Sequence, residues 1–222
     1  MVSTDRLHQI QRWLTGFVEA YLHPPGDAPA AEAHLIKWGH TLRVADEIER
    51  LARNDGTWSD GRVRLARAAA LLHDVGRFPQ WTRWGTFNDA ISADHAELSL
   101  RTVAEAGVLE GLDAGVRRAL EVAIAHHNKH HLPAGLAGLE QSLARMLRDA
   151  DKIDIWFVIL EQLPCSGSSI DPTADAPRGA AYSEQLLRDV IEGRSPSMSA
   201  VRSQTDRLLF RLGWFYDLTY PT

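Results

Sequence analysis

Apolar residues recur at helical spacing along almost the whole chain, and the alternating Val/Ile/Thr runs of a half-buried strand are nearly absent. That periodicity leaves little choice but an all-α fold. The spacing predicts helices over 5–22, 31–53, 60–74, 92–106, from Asp113 to about Asn128, and over 139–162, 182–193 and 198–217. Pro24-Pro25-Gly26, Gly76, Gly107 and Pro133 punctuate them, and Ser59-Asp60, Ser92 and Asp113 are expected to cap helix starts. Residues 77–91 (RFPQWTRWGTFNDAI) read as aromatic and irregular. Residues 163–181 are rich in Pro, Ser, Gly and Asp, and a loop that long within a compact domain is usually functional or mobile. One domain over 1–222 is expected. Its core lies at about 31–162, followed by the 163–181 loop and accessory helices at 182–217.

At 222 residues the chain can bury a sizeable core without a disulfide or metal as a staple. A metal site here therefore points to function. Hydrophobic content of 45% with 24% charged residues excludes wholesale disorder, a collagen-like chain and a membrane-embedded one. The net charge of −5 shows no basic footprint, which argues against general nucleic-acid binding but leaves room for a nucleotide in a locally basic pocket. Cys165 is the sole cysteine, so no intrachain disulfide can form. The first 22 residues carry charges throughout and lack the features of a secretory signal. The longest apolar runs, Ala68 to Leu72 and Ile155 to Leu160, fall far short of a membrane span. A cytoplasmic protein with no membrane partner is expected, and self-association is left open.

What sets this sequence apart is where polar residues interrupt the apolar stripes. His40 sits on Ile36, His40, Val44, Ile48, Leu51, and His73-Asp74 end the helix LARAAALLHDVG. His95 lies on Ile91, His95, Leu98, Thr102, and Asp151 lies on Leu143, Leu147, Asp151, Ile155, Val158. The stripe Val116, Leu120, Ile124 runs on to His127, while its neighbour His126 is turned about 100° away. Taken singly, each has an ordinary explanation: a satisfied core histidine, a chance dipeptide, an ion-paired aspartate, a solvated helix end. Together they place two carboxylates and several imidazoles on inward faces. A buried carboxylate costs several kcal/mol unless it is paired or metal-bound. A dinuclear site for divalent ions of the Mn, Fe, Co, Ni, Zn or Mg kind accounts for all of them, and a thiolate zinc site is excluded.

In order and in local context these residues resemble the HD-domain superfamily of metal-dependent phosphohydrolases. The pattern H…HD…D is met by His40, His73-Asp74 and Asp151, within HTLRVADEIERLA, AAALLHDVGRF and LRDADKID. The resemblance covers roughly residues 34–160. It implies one metal on His40, His73, Asp74 and Asp151. A second would be bridged by Asp74 and held by His95 and His127, with His126 either a further ligand or, protonated, the leaving-group acid. The implied activity is hydrolysis of a phosphate ester of a nucleotide or related small molecule by metal-activated water, with Asp74 central to catalysis. Arg77 and Lys129 are the expected phosphoryl clamps. Phe78, Trp81, Trp84 and Phe87 could stack a base or simply pack their loop. The sequence lacks the GYP motif of the cyclic-di-GMP branch, the Glu-Asp motif of the (p)ppGpp branch and the extra carboxylate of trinuclear members, since Ile36 precedes His40 by one turn. No branch therefore lends its substrate. The same ligand order is similar to that of di-iron oxygenases such as myo-inositol oxygenase, and a non-catalytic metal or nucleotide sensor is the third reading.

Overall fold

The computed structural model describes residues 1–23, 28–162 and 181–220. Among these residues the regular structure is helical and no strand occurs. The long helices α1 (Thr4–Leu22), α2 (Ala28–Asp55) and α3 (Asp60–Leu72) come first. A short α4 (Arg77–Trp84), then α5 (His95–Glu105), α6 (Ala114–His126) and the long α7 (Gly138–Gln162) follow. The last two are α8 (Glu184–Ile191) and α9 (Gln204–Leu212). The contacts divide the chain into two compact units, Met1–Asp154 and Ile155–Pro221, so the first unit closes before the expected core boundary near 162.

In the first unit α3 is the central element. Ala66, Ala68, Ala69 and Ala70 are fully buried, together with Leu65 and Leu72. Short side chains let neighbouring helices come close, and α3 packs against α1, α2 and α6. The apolar stripe of α1 (Leu7, Ile10, Leu14, Val18) and that of α2 (Val44, Ile48, Leu51) close over it. Arg67 faces outward and ties α3 to α2 through Asp46 and Glu49, each at 2.9 Å. The helix starts follow ordinary capping chemistry. Ser3 Oγ accepts from Arg6 N at 3.1 Å, and Asp113 accepts from Gly115 N and Val116 N at 3.0 and 3.2 Å.

Several expected boundaries move. Residues 77–84 form α4, where an irregular segment was expected. Pro79 stands in its first turn, where the missing N–H removes no helical bond. Gly85 ends it in the left-handed region at φ 63°. Asp94, and not Ser92, caps α5, accepting from Ala96 N at 2.9 Å. Ser92 instead closes the short 3₁₀ turn Asp89–Ile91. The expected helix over 198–217 is broken into a turn at Met198–Ala200, α9 and a turn at Gly213–Asp217. In this second unit Asp206 is buried and accepts from Arg202 N at 2.8 Å and Ser183 N at 2.5 Å. Cys165 and all but the last residue of the 163–181 loop lie outside the described residues.

Candidate metal centre

Five helices deliver polar side chains to one buried point of the first unit. His40 comes from the middle of α2, His73 and Asp74 from the end of α3, and His95 from the first residue of α5. His127 is the residue that ends α6, and Asp151 lies on α7. The turn after α3 is held against α5 by Gly76, whose N–H donates to Ser99 Oγ at 2.9 Å. A Cβ at Gly76 would lie 2.5 Å from His95 O and 2.7 Å from Leu98 Cβ. Glycine is required there because backbone meets backbone.

The donor atoms converge. His40 Nε2 lies 3.3 Å from His73 Nε2, 3.1 Å from Asp151 Oδ1 and 3.6 Å from Asp74 Oδ2. His73 Nε2 is 3.8 Å from both Asp74 Oδ2 and Asp151 Oδ1. On the other side of Asp74, Oδ1 is 3.5 Å from His95 Nε2 and 3.6 Å from His127 Nε2. Those two ring nitrogens are themselves 2.9 Å apart. The two oxygens of Asp74 thus face two different imidazole pairs.

The outward nitrogen of every one of these rings is already committed. His73 Nδ1 donates to Ala70 O at 2.6 Å and His127 Nδ1 to Ile124 O at 2.8 Å. A carbonyl can only accept, so in neutral His73 and His127 the proton sits on Nδ1 and Nε2 presents a bare lone pair. His40 Nδ1 faces Asp154 Oδ2 and His95 Nδ1 faces Asp89 Oδ2, both at 2.6 Å. Asp154 is held in turn by Arg43 (Nε to Oδ1 at 2.5 Å), and Asp89 by Arg77 and Gln80 at 3.1 and 2.8 Å. This is the outer arrangement that orients metal-ligating histidines.

Burial lowers the His73 imidazole to about 4, and burial with the nearby Arg77 charge lowers His95 to about 4. His40 runs the other way. Burial alone would lower it, but its hydrogen bonds to Asp151 and Asp154 leave it raised. Burial alone would also raise Asp74, and Lys37, His73 and Arg77 overcome that and hold it well below the usual carboxylate range. Asp151 is likewise ionised, through its hydrogen bond to His40 and the charge there.

This donor set fits divalent metal. Asp74 Oδ1 is buried with no hydrogen-bond partner. His95 and His127 turn ring nitrogens at each other at a spacing that calls for a cation or a shared proton. Nitrogen and oxygen donors about 2.0–2.2 Å from one ion stand roughly 3–3.5 Å apart, and the donor separations here run from 2.9 to 3.8 Å around that spacing. Among the described residues, groups able to hold an ion are His40–His73–Asp74, His73–His127–Asp151, Asp74–His95–His127 and Asp89–Asp94–His95.

Two of the singled-out residues, His126 and Lys129, stand elsewhere. His126 belongs to none of those groups. It lines a separate cavity of about 360 Å³ with Leu100, Val103, Arg118, Glu121 and Val122. The α6 turn that aims His127 inward swings His126 off that face, as the 100° step requires. Lys129 is ion-paired with Asp94, the cap of α5, and Asn128 reaches the same carboxylate at 2.9 Å. It ties the turn after His127 to the start of α5 instead of reaching the cluster. Arg77 does reach it, with Nε 3.5 Å from Asp74 Oδ1. Its Nη1 is spent on Gln80, Phe87 O and Asp89 at 2.9, 2.7 and 3.1 Å. Sequence reasoning missed Lys37, Asp89, Asp94 and Asp154. Asp154 carried a signal, since it shares a helical face with Asp151 three residues earlier. Asp89 lay in a segment with no periodicity to orient it.

A family model described as HD domain matches residues 38–156, more than half of the chain. No curated protein and no solved structure matches.

Proposed function

Because the chain belongs to the HD-domain family, whose members bind divalent metals and include metal-dependent hydrolases, we propose that it is a phosphohydrolase acting on a phosphate ester of a nucleotide or related small molecule at a dinuclear centre. One observation carries this reading: four imidazole Nε2 atoms converge on the two oxygens of Asp74, each with its far nitrogen already anchored. His40, His73, Asp74 and Asp151 would hold one ion, and Asp74, His95 and His127 the other. When bound, the metals supply Lewis acidity and activate water near neutral pH. The chain's own contribution is order and charge. Asp154 and Asp89 fix the rings of His40 and His95, and Arg77 sets a guanidinium beside Asp74 where phosphoryl charge would develop. Burial of the imidazoles keeps His73 and His95 neutral, the state a ligand needs.

The test is a metal analysis of protein purified without added metal, followed by a panel of phosphate esters assayed anaerobically with Mn²⁺. Release of phosphate or a nucleoside monophosphate without oxygen is the expected result. Activity strictly dependent on iron and dioxygen would replace this reading with the oxygenase one.

A further inference from the structure

Lys37 stands one turn before His40 on α2, and its ammonium lies 3.0 Å from Asp74 Oδ2. The Lys37 side chain is 18% exposed against 3% for Asp74, so a cation sits between the buried carboxylate and solvent. An ammonium carries three donors. Among the described residues Asp74 takes one, and no other acceptor lies within hydrogen-bond distance of Lys37 Nζ. The ring of Phe87 lies 5.3 Å from the same ammonium and 5.8 Å from the Arg77 guanidinium. That ring is backed in turn by Trp81, centroid to centroid at 4.7 Å. Two cations are thus held over one aromatic ring at the edge of the cluster.

Lys37 is the first of the charges that hold Asp74 ionised, ahead of His73 and Arg77, but that pairing occupies only one of its three donors. Oδ2 has a second lone-pair site, so Lys37 can stay on it while that oxygen also serves an ion. Lys37 has two donors free on its open side, while Arg77 has Nη1 engaged with Gln80, Phe87 O and Asp89 and turns a buried Nε, without a hydrogen-bond partner, toward Asp74 Oδ1.

We propose that Lys37 is a substrate-binding residue whose free donors take a non-bridging oxygen of the substrate's phosphoryl group. The proposal rests on the phosphohydrolase reading above. Inorganic phosphate is the probe. Its affinity is measured calorimetrically on Mn²⁺-loaded wild type, Lys37→Met and Lys37→Arg, with metal content determined on the same samples. Lys37→Met is expected to keep the wild-type metal content and to bind phosphate about 10- to 100-fold more weakly, the size of a lost hydrogen bond to a charged group. Lys37→Arg should regain part of that loss. Phosphate binding by Lys37→Met as tight as wild type overturns the proposal. So does loss of metal from Lys37→Met, which would assign the ammonium to upkeep of the ligand set. Failure of fully loaded wild type to bind phosphate would instead overturn the phosphohydrolase reading itself, and it is recognised without any variant.

Discussion

Substituting Asp74 by alanine removes two oxygens that face different imidazole pairs: Oδ2 lies 3.6 Å from His40, while Oδ1 lies 3.5 and 3.6 Å from His95 and His127. Metal analysis of folded Asp74→Ala should therefore find both ions lost, and retention of one at full occupancy would mean that the carboxylate does not bridge. The adjacent histidines make a sharper comparison. His127→Ala should lose one ion of the pair, because its Nε2 faces Asp74. His126→Ala should keep both, because its ring lines the cavity with Arg118 and Glu121. Stoichiometry of the two variants side by side decides it. Loading should also release protons. His40 is raised by the carboxylates of Asp151 and Asp154, and an ion on Nε2 takes the place of a proton there. Titrations in buffers of different ionisation enthalpy should show more proton release per chain as the pH is lowered from 8 toward 6. A release that does not change with pH would separate His40 from the ion.

At the scale of elements, the turn from His73 to Gly76 matters more than its length suggests. It places His73 and Asp74 by resting its backbone directly on the first turn of α5, the turn that carries His95. Gly76→Ala puts a methyl group against that backbone, and overpacking of this kind costs about 1–3 kcal/mol or more. Denaturant unfolding should show that loss, together with weaker metal binding, because α5 must shift and takes His95 with it. An unchanged midpoint would mean that the two segments part at no cost. Legibility of the sequence follows the same elements. His40, Val44, Ile48 and Leu51 are buried, as their stripe implies, because a long helix keeps phase over many residues. The stripe's first member was misplaced. Ile36 is 37% exposed while its neighbour Lys37 reaches the cluster. A single hydrophobic letter cannot say which side of a helix end meets an opening in the packing. α4 was illegible for another reason: eight residues with three aromatics and a proline have weak intrinsic helix preference, and what orders them is the tertiary pull of Phe78 into the core. The partners Asp89 and Asp94 lie in the loop and cap that follow, where contacts distant in sequence decide direction.

For the whole molecule, the imidazoles set the response to acid of metal-free protein. His73 and His95 are lowered to about 4 in the fold, against about 6.5 when unfolded. Between those values the unfolded chain binds more protons, so stability rises with pH through the window and falls as pH drops from about 6.5 toward 4. The raised His40 opposes this, since it holds its proton better in the fold. With His73 and His95 strongly lowered and His126 lowered as well, against one raised imidazole, chelator-treated protein should melt at a lower temperature at pH 5 than at pH 7. Its far-UV helical signal at pH 7 should survive chelation, because the Ala-rich packing around α3 is complete without an ion. A melting temperature that increases on acidification would contradict the neutral state of these rings.

The four ring anchors also bear on how such a centre can drift over evolutionary time. His73 and His127 lean on the main-chain carbonyls of Ala70 and Ile124, three residues back in each case. Side-chain replacement at those two positions leaves the carbonyls where they are. His40 and His95 lean on the carboxylates of Asp154 and Asp89, which a single codon change can weaken or remove. In the proposed assignment each ion then has one imidazole whose electron donation is locked to the backbone and one whose donation is heritable and adjustable. Asp154 and Asp89 become two separate dials, one for each ion, through which metal preference can be retuned without touching a ligand.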